Sequence, residues 1–101
     1  MKEKKICFEW SEEKNKINKK KHEIDFTEAI QVFNDNNRLE FYDDLHSKLF
    51  EERYKIVGTI TDGIIIVLIC NFKMNMIRII SARKANKTEV KEYYEKNNYF
   101  G

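Results

Sequence analysis

The 101-residue chain has room for one hydrophobic core, so a single domain over residues 1–101 is expected. Charged residues make up 36% and hydrophobic ones 42%, yet 13% aromatics and thirteen isoleucines separate it from disordered chains. Its longest apolar run, residues 64–70, is seven residues, well short of the ~20 that a membrane-spanning helix needs.

Net charge is only +2, but residues 1–22 carry +4, residues 23–53 carry −6 and residues 54–101 carry +4. A uniformly basic nucleic-acid coat is therefore excluded. Two basic segments around an acidic one suit a local anion site and a separate surface for a basic partner. A solvated surface of mixed charge fits the same totals. Met1-Lys2-Glu3-Lys4-Lys5 is basic with no apolar stretch behind it, unlike a secretory signal. Cys7 and Cys70 are too isolated for a disulfide scaffold or a zinc site. These features predict a reduced, soluble, cytoplasmic domain.

Along the chain, residues 6–10 read as a short strand. Ser11 then caps a helix to about His22, with Glu12 and Glu13 in the first turn where the helix dipole favours acids. Ile17 is that helix's only aliphatic residue, so packing is confined to a narrow stripe. Asp25 and Glu28 resemble a capping box before Phe26, Ala29, Ile30 and Phe33, whose spacing predicts an amphipathic helix ending near residues 34–37. Residues 39–42 suggest a short strand, followed by a polar stretch through Lys48.

From Arg53 the period is two, with Tyr54, Ile56 and Ile60 on one face and Arg53, Lys55 and Thr59 on the other. Asp62-Gly63 predicts a two-residue hairpin turn with positive φ. Residues 64–70 follow as a central strand buried on both faces, and residues 76–84 as another after a tight connection near 73–75. Asn86 and Glu89 cap a last helix through Asn98, with Val90, Tyr93 and Tyr94 inward. The fold class is α+β: an antiparallel sheet with two N-terminal helices and one C-terminal helix. There is no βαβ pattern or Gly-rich phosphate loop, which excludes Rossmann and P-loop readings.

Trp10, Lys14, Asn18 and Lys21 share one helical face, and His22 is four residues from Asn18. A stripe of aromatic, ammonium and amide groups suits RNA, whose phosphates pair with cations and whose bases stack on rings. The same spacing fits a plainer role, with Trp10 anchoring the helix and the lysines keeping it soluble. Glu51 and Arg53 share a strand face, either as a surface ion pair or as an acid that orients a guanidinium for phosphate. A regular strand puts Arg78 and Arg83 on opposite faces, although a bulge near its end re-aims a side chain. Each arginine should meet a carboxylate, a phosphate or water. His22 and His46, the only histidines, lie in no metal-binding pattern. No metal or cofactor is expected.

In order, Phe8-Glu9-Trp10, Lys14, Asn18, Lys21-His22, Phe26, Ala29, Phe33, His46-Ser47, Glu51-Glu52-Arg53, Gly58 and Ile77-Arg78-Ile79-Ile80-Ser81-Ala82-Arg83-Lys84-Ala85 resemble the BrnT toxin family. The resemblance covers residues 8–94. It implies the toxin half of a bacterial type II toxin–antitoxin pair, with a fold similar to RelE-type ribonucleases. The implied partner is a BrnA-type antitoxin of ribbon-helix-helix fold, held in a hetero-oligomer, and the implied substrate is RNA.

The resemblance further implies metal-independent cleavage, in which a ribose 2′-OH attacks the adjacent phosphorus and growth and translation stop. On that reading Arg53 and Arg83 clamp the phosphate, Glu51 orients Arg53, and Lys14, Lys21 or His22 is base or acid. Trp10, Asn18, Arg78 and Lys84 would contact RNA. A lysine base would have to lose about three pKa units, or ~4 kcal/mol. Two positions depart from the family pattern. Ser11 replaces the usual Asp and remains a competent cap, and Glu23 replaces a Gly, costing ~1 kcal/mol if φ is positive there. The acidic segment 23–53 is the candidate antitoxin surface. Rival readings are a non-catalytic antitoxin-binding module and a free-standing RNA-binding domain.

Overall fold

The computed structural model describes residues 6–97. Its centre is a five-stranded sheet in the order β1-β5-β4-β3-β2, from β1 (Cys7–Glu9), β2 (Leu39–Lys48), β3 (Glu51–Thr59), β4 (Ile65–Lys73) and β5 (Met76–Lys84). The four long strands form an antiparallel meander, as hairpin connections require, while β1 joins β5 in parallel at the far edge. The expected α+β class holds, with one parallel pair in the otherwise antiparallel sheet. Among the described residues no helix is long and apolar enough to cross a membrane.

Helices α1 (Glu12–His22) and α2 (Phe26–Ala29) lie on the β1 side of the chain, and α3 (Lys87–Lys96) closes it. Ser11 caps α1 by accepting a bond from the Lys14 amide, with Glu12 and Glu13 in the first turn and Lys19–His22 in the last. Glu23 ends it at φ 60°, the left-handed conformation that a Gly takes without cost. The expected second helix is shorter than its pattern suggested. Asp25 caps it through the Thr27 amide, and after one α turn the chain tightens into a 3-10 segment, Ile30–Asn34. With three residues per turn, Phe26, Ala29 and Val32 stack inward, all 0% exposed, while Ile30 and Phe33 are only partly buried.

These side chains meet Ile56, Ile66, Leu68, Cys70, Ile77, Ile79 and Ala82 in the main core on one sheet face. Gly58 makes the contact possible, since a Cβ there would lie 2.7 Å from the Val32 Cγ2. The opposite face carries a smaller cluster of Val57, Ile65, Val67 and Tyr93, so β4 is buried on both sides, as its apolar run predicts. The capping box of Asn86 and Glu89 starts α3. Tyr93 is 2% exposed but Tyr94 is 42% exposed, contrary to its expected inward position. Asn98 lies outside the described residues.

Two connections differ from expectation. Asp62 and Gly63 have positive φ, 65° and 73°, but Thr61 joins them in a three-residue turn closed by an Ile60 N–H to Ile64 O bond of 2.9 Å. Gln31 accepts from both the amide and the hydroxyl of Thr61, which draws that residue into the turn. Strand β2 does not stop at Tyr42 but runs to Lys48, irregular between Asp43 and Lys48. As an edge strand it keeps its polar residues in solvent.

Candidate functional site

Strand register decides which side chains share the sheet face away from the main core. Asp43 pairs with Arg53, Arg53 with Asn71, Asn71 with Arg78, and Arg78 with Glu9. Directly paired residues project from the same face. One polar belt therefore crosses all five strands. The next rows along this face are Lys55, Ile69 and Ser81, then Val57, Val67 and Arg83.

Arg78 and Arg83 reach the same face because of a bulge. Ile69 pairs with Ser81 while Cys70 pairs with Ile79, leaving Ile80 unpaired. That extra residue reverses the alternation, as a bulge does. Lys84, beside Arg83, pairs with buried Ile66 and so belongs to the opposite face, away from the three arginines.

The arginines differ in what holds them. Arg83 makes a bidentate pair with Glu89 at 2.7 and 2.8 Å, and Lys55 adds a third contact to Glu89 at 3.1 Å. The Arg83 bonds, opposed by burial and reinforced by the Asn86 amide and Lys55, bring the Glu89 carboxyl down to about 2. Arg78 is paired with Glu9 at 2.6 Å. Arg53 has a neutral partner instead: its Nε donates to the Asn71 Oδ1 at 2.9 Å. Among the described residues no carboxylate lies within ion-pair distance of it, Glu51 included. The side chain that contacts Arg53 is therefore Asn71, directly opposite on β4, while the expected contact, Glu51, lies at the start of β3 beside Lys48.

The α1 residues divide. Asn18 is 7% exposed, and its amide donates to Ile24 O and Ala82 O while its Oδ1 accepts from the Ala82 N–H. It bonds the outer edge of β5 much as another strand would, and no donor is left for RNA. Trp10 precedes the helix, so it does not continue the Lys14–Asn18 stripe. Its ring packs edge-on against Phe26 at 6.1 Å, and its Nε1 donates to Glu12 at 2.8 Å. Trp10 thus packs against the core through one edge of its ring. Lys14, Lys21 and His22 do come together, with Ile17, Asn18, Ile80 and Ser81, around a groove of about 220 Å³ between α1 and the β5 bulge. Ser81 belongs both to that groove and to the arginine-bearing face.

Two polar groups were missed from sequence. Asn71, 8% exposed, lies within a strand that otherwise reads as apolar, and only its departure from that pattern marks it. His46 lies in no metal-binding pattern, and its sequence neighbours alone assign it no role. Its Nδ1 lies 2.9 Å from the Asp43 Oδ2, and its backbone N–H donates to the Asp43 Oδ1 at 3.1 Å. Neighbouring Ser47 donates to Asp43 O and accepts from the Arg53 N–H, which fixes the irregular stretch of β2 against β3.

A four-stranded meander with α2 packed on one face, and α3 and three arginines on the other, defines a small α+β protein. Comparison with known families gives the identity of that class. The family model described as the ribonuclease toxin BrnT of a type II toxin–antitoxin system matches residues 10–89, and the chain belongs to this family. Its fold is similar to that of the Brucella abortus ribonuclease toxin BrnT, known from a 1.1 Å crystal structure. The TM-score is 0.62 at 22% identity, covering 82% of this chain and all of the other. A comparison with curated proteins gives no match.

Proposed function

We propose that this chain is an endoribonuclease of the mRNA-interferase type, with a RelE-like fold, that cleaves RNA without a metal ion and so arrests translation and growth. The observation that carries this reading is Arg53, held through its Nε by a neutral amide, with no carboxylate within ion-pair distance among the described residues. A guanidinium fixed in this way presents a planar fork to two phosphate oxygens. Arg83 completes the clamp by exchanging part of its contact with Glu89 for phosphate. Arg78 extends the same face along the RNA backbone. Lys14, Lys21 and His22 add cationic or titratable groups at the groove by Ser81.

Neutralisation falls to a BrnA-type ribbon-helix-helix antitoxin bound in a hetero-oligomer. Edge strand β2 supports that role, with exposed Glu40 and Asp44, and with Leu45 on the strand and Leu49 and Phe50 on the hairpin tip at 86, 88 and 82% exposure. Apolar groups so exposed on a small protein mark a partner surface.

The deciding experiment is induced expression in bacteria of wild type, Arg53→Ala and Arg83→Ala at equal protein levels, reading growth and RNA 5′ ends. Arrest with new 5′ ends in wild type, lost in Arg53→Ala, is the expected result. Normal growth with intact RNA in wild type would leave a binding module. Arrest that survives both substitutions would remove the arginine clamp.

A further inference from the structure

We infer that His46 is the general base of the cleavage reaction and that Asp43 positions it, an inference that rests on the ribonuclease reading above. The geometry is that of an oriented imidazole. Asp43 grips the residue twice, through the His46 backbone N–H at 3.1 Å and the ring Nδ1 at 2.9 Å. A carboxylate at Nδ1 selects the tautomer with its proton there and leaves Nε2 as the acceptor. The ring is 58% exposed, so Nε2 is open to a substrate.

The surroundings tie this pair to the arginine belt. Asp43 is the register partner of Arg53 and shares its sheet face. Burial of the Asp43 carboxyl acts against its charge, but the amide and ring of His46 together with Arg53 hold it below the usual carboxylate range. The charged groups on the same face of the adjacent strand are Glu51, Arg53 and Lys55, the last paired with Glu89. Ser47 bonds to Asp43 O at 2.6 Å and receives the Arg53 amide at 2.9 Å, so the loop carrying the imidazole is fixed to the strand carrying the guanidinium.

Position favours His46 over the α1 candidates. His46 lies on β2, one strand spacing of about 5 Å from the Arg53 strand. The groove of Lys14, Lys21 and His22 lies beyond β5, two spacings or about 10 Å away on the other side. Lys14 and Lys21 are exposed, without the burial that a lysine base requires. His22 has no hydrogen-bond partner for its ring among the described residues.

In the proposed step, His46 Nε2 takes the proton of the ribose 2′-OH as its oxygen forms a bond to the adjacent phosphorus held by Arg53. The bond from phosphorus to the 5′-oxygen breaks, its electron pair leaves with that oxygen, and water supplies the proton. The products are a 2′,3′-cyclic phosphate and a 5′-OH, and Nε2 returns its proton to solvent.

The test uses the purified full-length chain on an RNA oligonucleotide, with and without translating ribosomes, between about pH 5.5 and 8.5 around the imidazole range. His46→Ala is expected to slow cleavage ~10²–10⁴-fold with RNA affinity unchanged, and added imidazole to restore part of the rate. His46→Gln, whose amide still donates to Asp43, preserves the loop and is expected to be equally slow. Asp43→Asn is expected to slow cleavage with RNA affinity unchanged, because a neutral amide no longer selects the tautomer that leaves Nε2 free to accept a proton. Wild-type cleavage that both His46 variants retain, with the same acidic limb, would overturn the base assignment and leave the ribonuclease reading standing. A wild type inert under every condition would remove that reading, and this inference with it.

Discussion

Glu23 ends α1 with φ 60° and ψ 26°. A side chain in this conformation crowds the following carbonyl, and at a helix C-terminus Gly avoids that cost. Glu23 also makes no compensating hydrogen bond with its side chain among the described residues. Glu23→Gly is therefore expected to stabilise the protein by about 0.5–1 kcal/mol, even though Gly raises the entropy of the unfolded chain. Urea denaturation would register this as a higher midpoint at unchanged slope. A midpoint that stays put or falls would show that the left-handed cap is not strained. The residue-level reading from sequence was accurate here: Ser11 caps as expected, and the cost attached to Glu23 depended on a positive φ that the backbone has.

At the scale of elements, α1 packs in a way its sequence did not disclose. Its inward residues are Asn15 and Asn18, each 7% exposed, while Ile17, its only aliphatic, is 59% exposed. Asn15 donates to Asp25 and accepts from the Phe26 amide, and Asn18 spans Ile24 O and both backbone groups of Ala82. The helix is attached by amides, so hydrophobic periodicity could not find its face. Asn18→Ala strands three buried backbone groups and is expected to cost about 3 kcal/mol or more, at roughly 1–3 kcal/mol for each unmet group. Urea unfolding with a parallel RNA-binding assay would check it. Lost RNA affinity at full stability would restore Asn18 as an RNA contact.

The strands show the same division between what the pattern contains and what it lacks. Residues 64–70 announced β4 through an unbroken apolar run, and Asn86 and Glu89 announced α3 through their spacing. Arg53, Arg78 and Arg83 were legible as charges that need partners. That Arg78 and Arg83 share a face was not, because the Ile80 bulge depends on pairing between strands and leaves no local mark. Likewise the partner of Arg53 is Asn71, eighteen residues away, and not nearby Glu51. Strand β2 escaped notice beyond Tyr42 because its hairpin tip is Leu49-Phe50, where the usual turn residues are absent.

Across the whole molecule, Glu89 joins three elements through its one carboxylate. It closes the α3 capping box, pairs bidentately with Arg83 on β5, and meets Lys55 on β3. Its folded-state carboxyl lies at about 2, against 4.5 for the free group. Because the folded value is depressed, the stabilisation is fully present above about pH 4.5 and is lost as pH falls toward 2. Its side chain is only 9% exposed, so screening by solvent is limited, and the contribution is on the order of 3 kcal/mol. Asp25 and Asp35, also held low by hydrogen bonds, act in the same direction. Stability is therefore expected to be nearly flat from about pH 5 to 7 and to decline steeply below that. Glu89→Gln should lower the plateau and flatten the acid decline, because its amide cannot lose a proton-linked ion pair. Urea midpoints measured from pH 3 to 7 on both proteins would decide the matter. An acid decline of the same steepness in Glu89→Gln would assign it to the lowered aspartates, Asp25, Asp35 and Asp43, and Glu89 would no longer be the group that couples α3 to the sheet in acid.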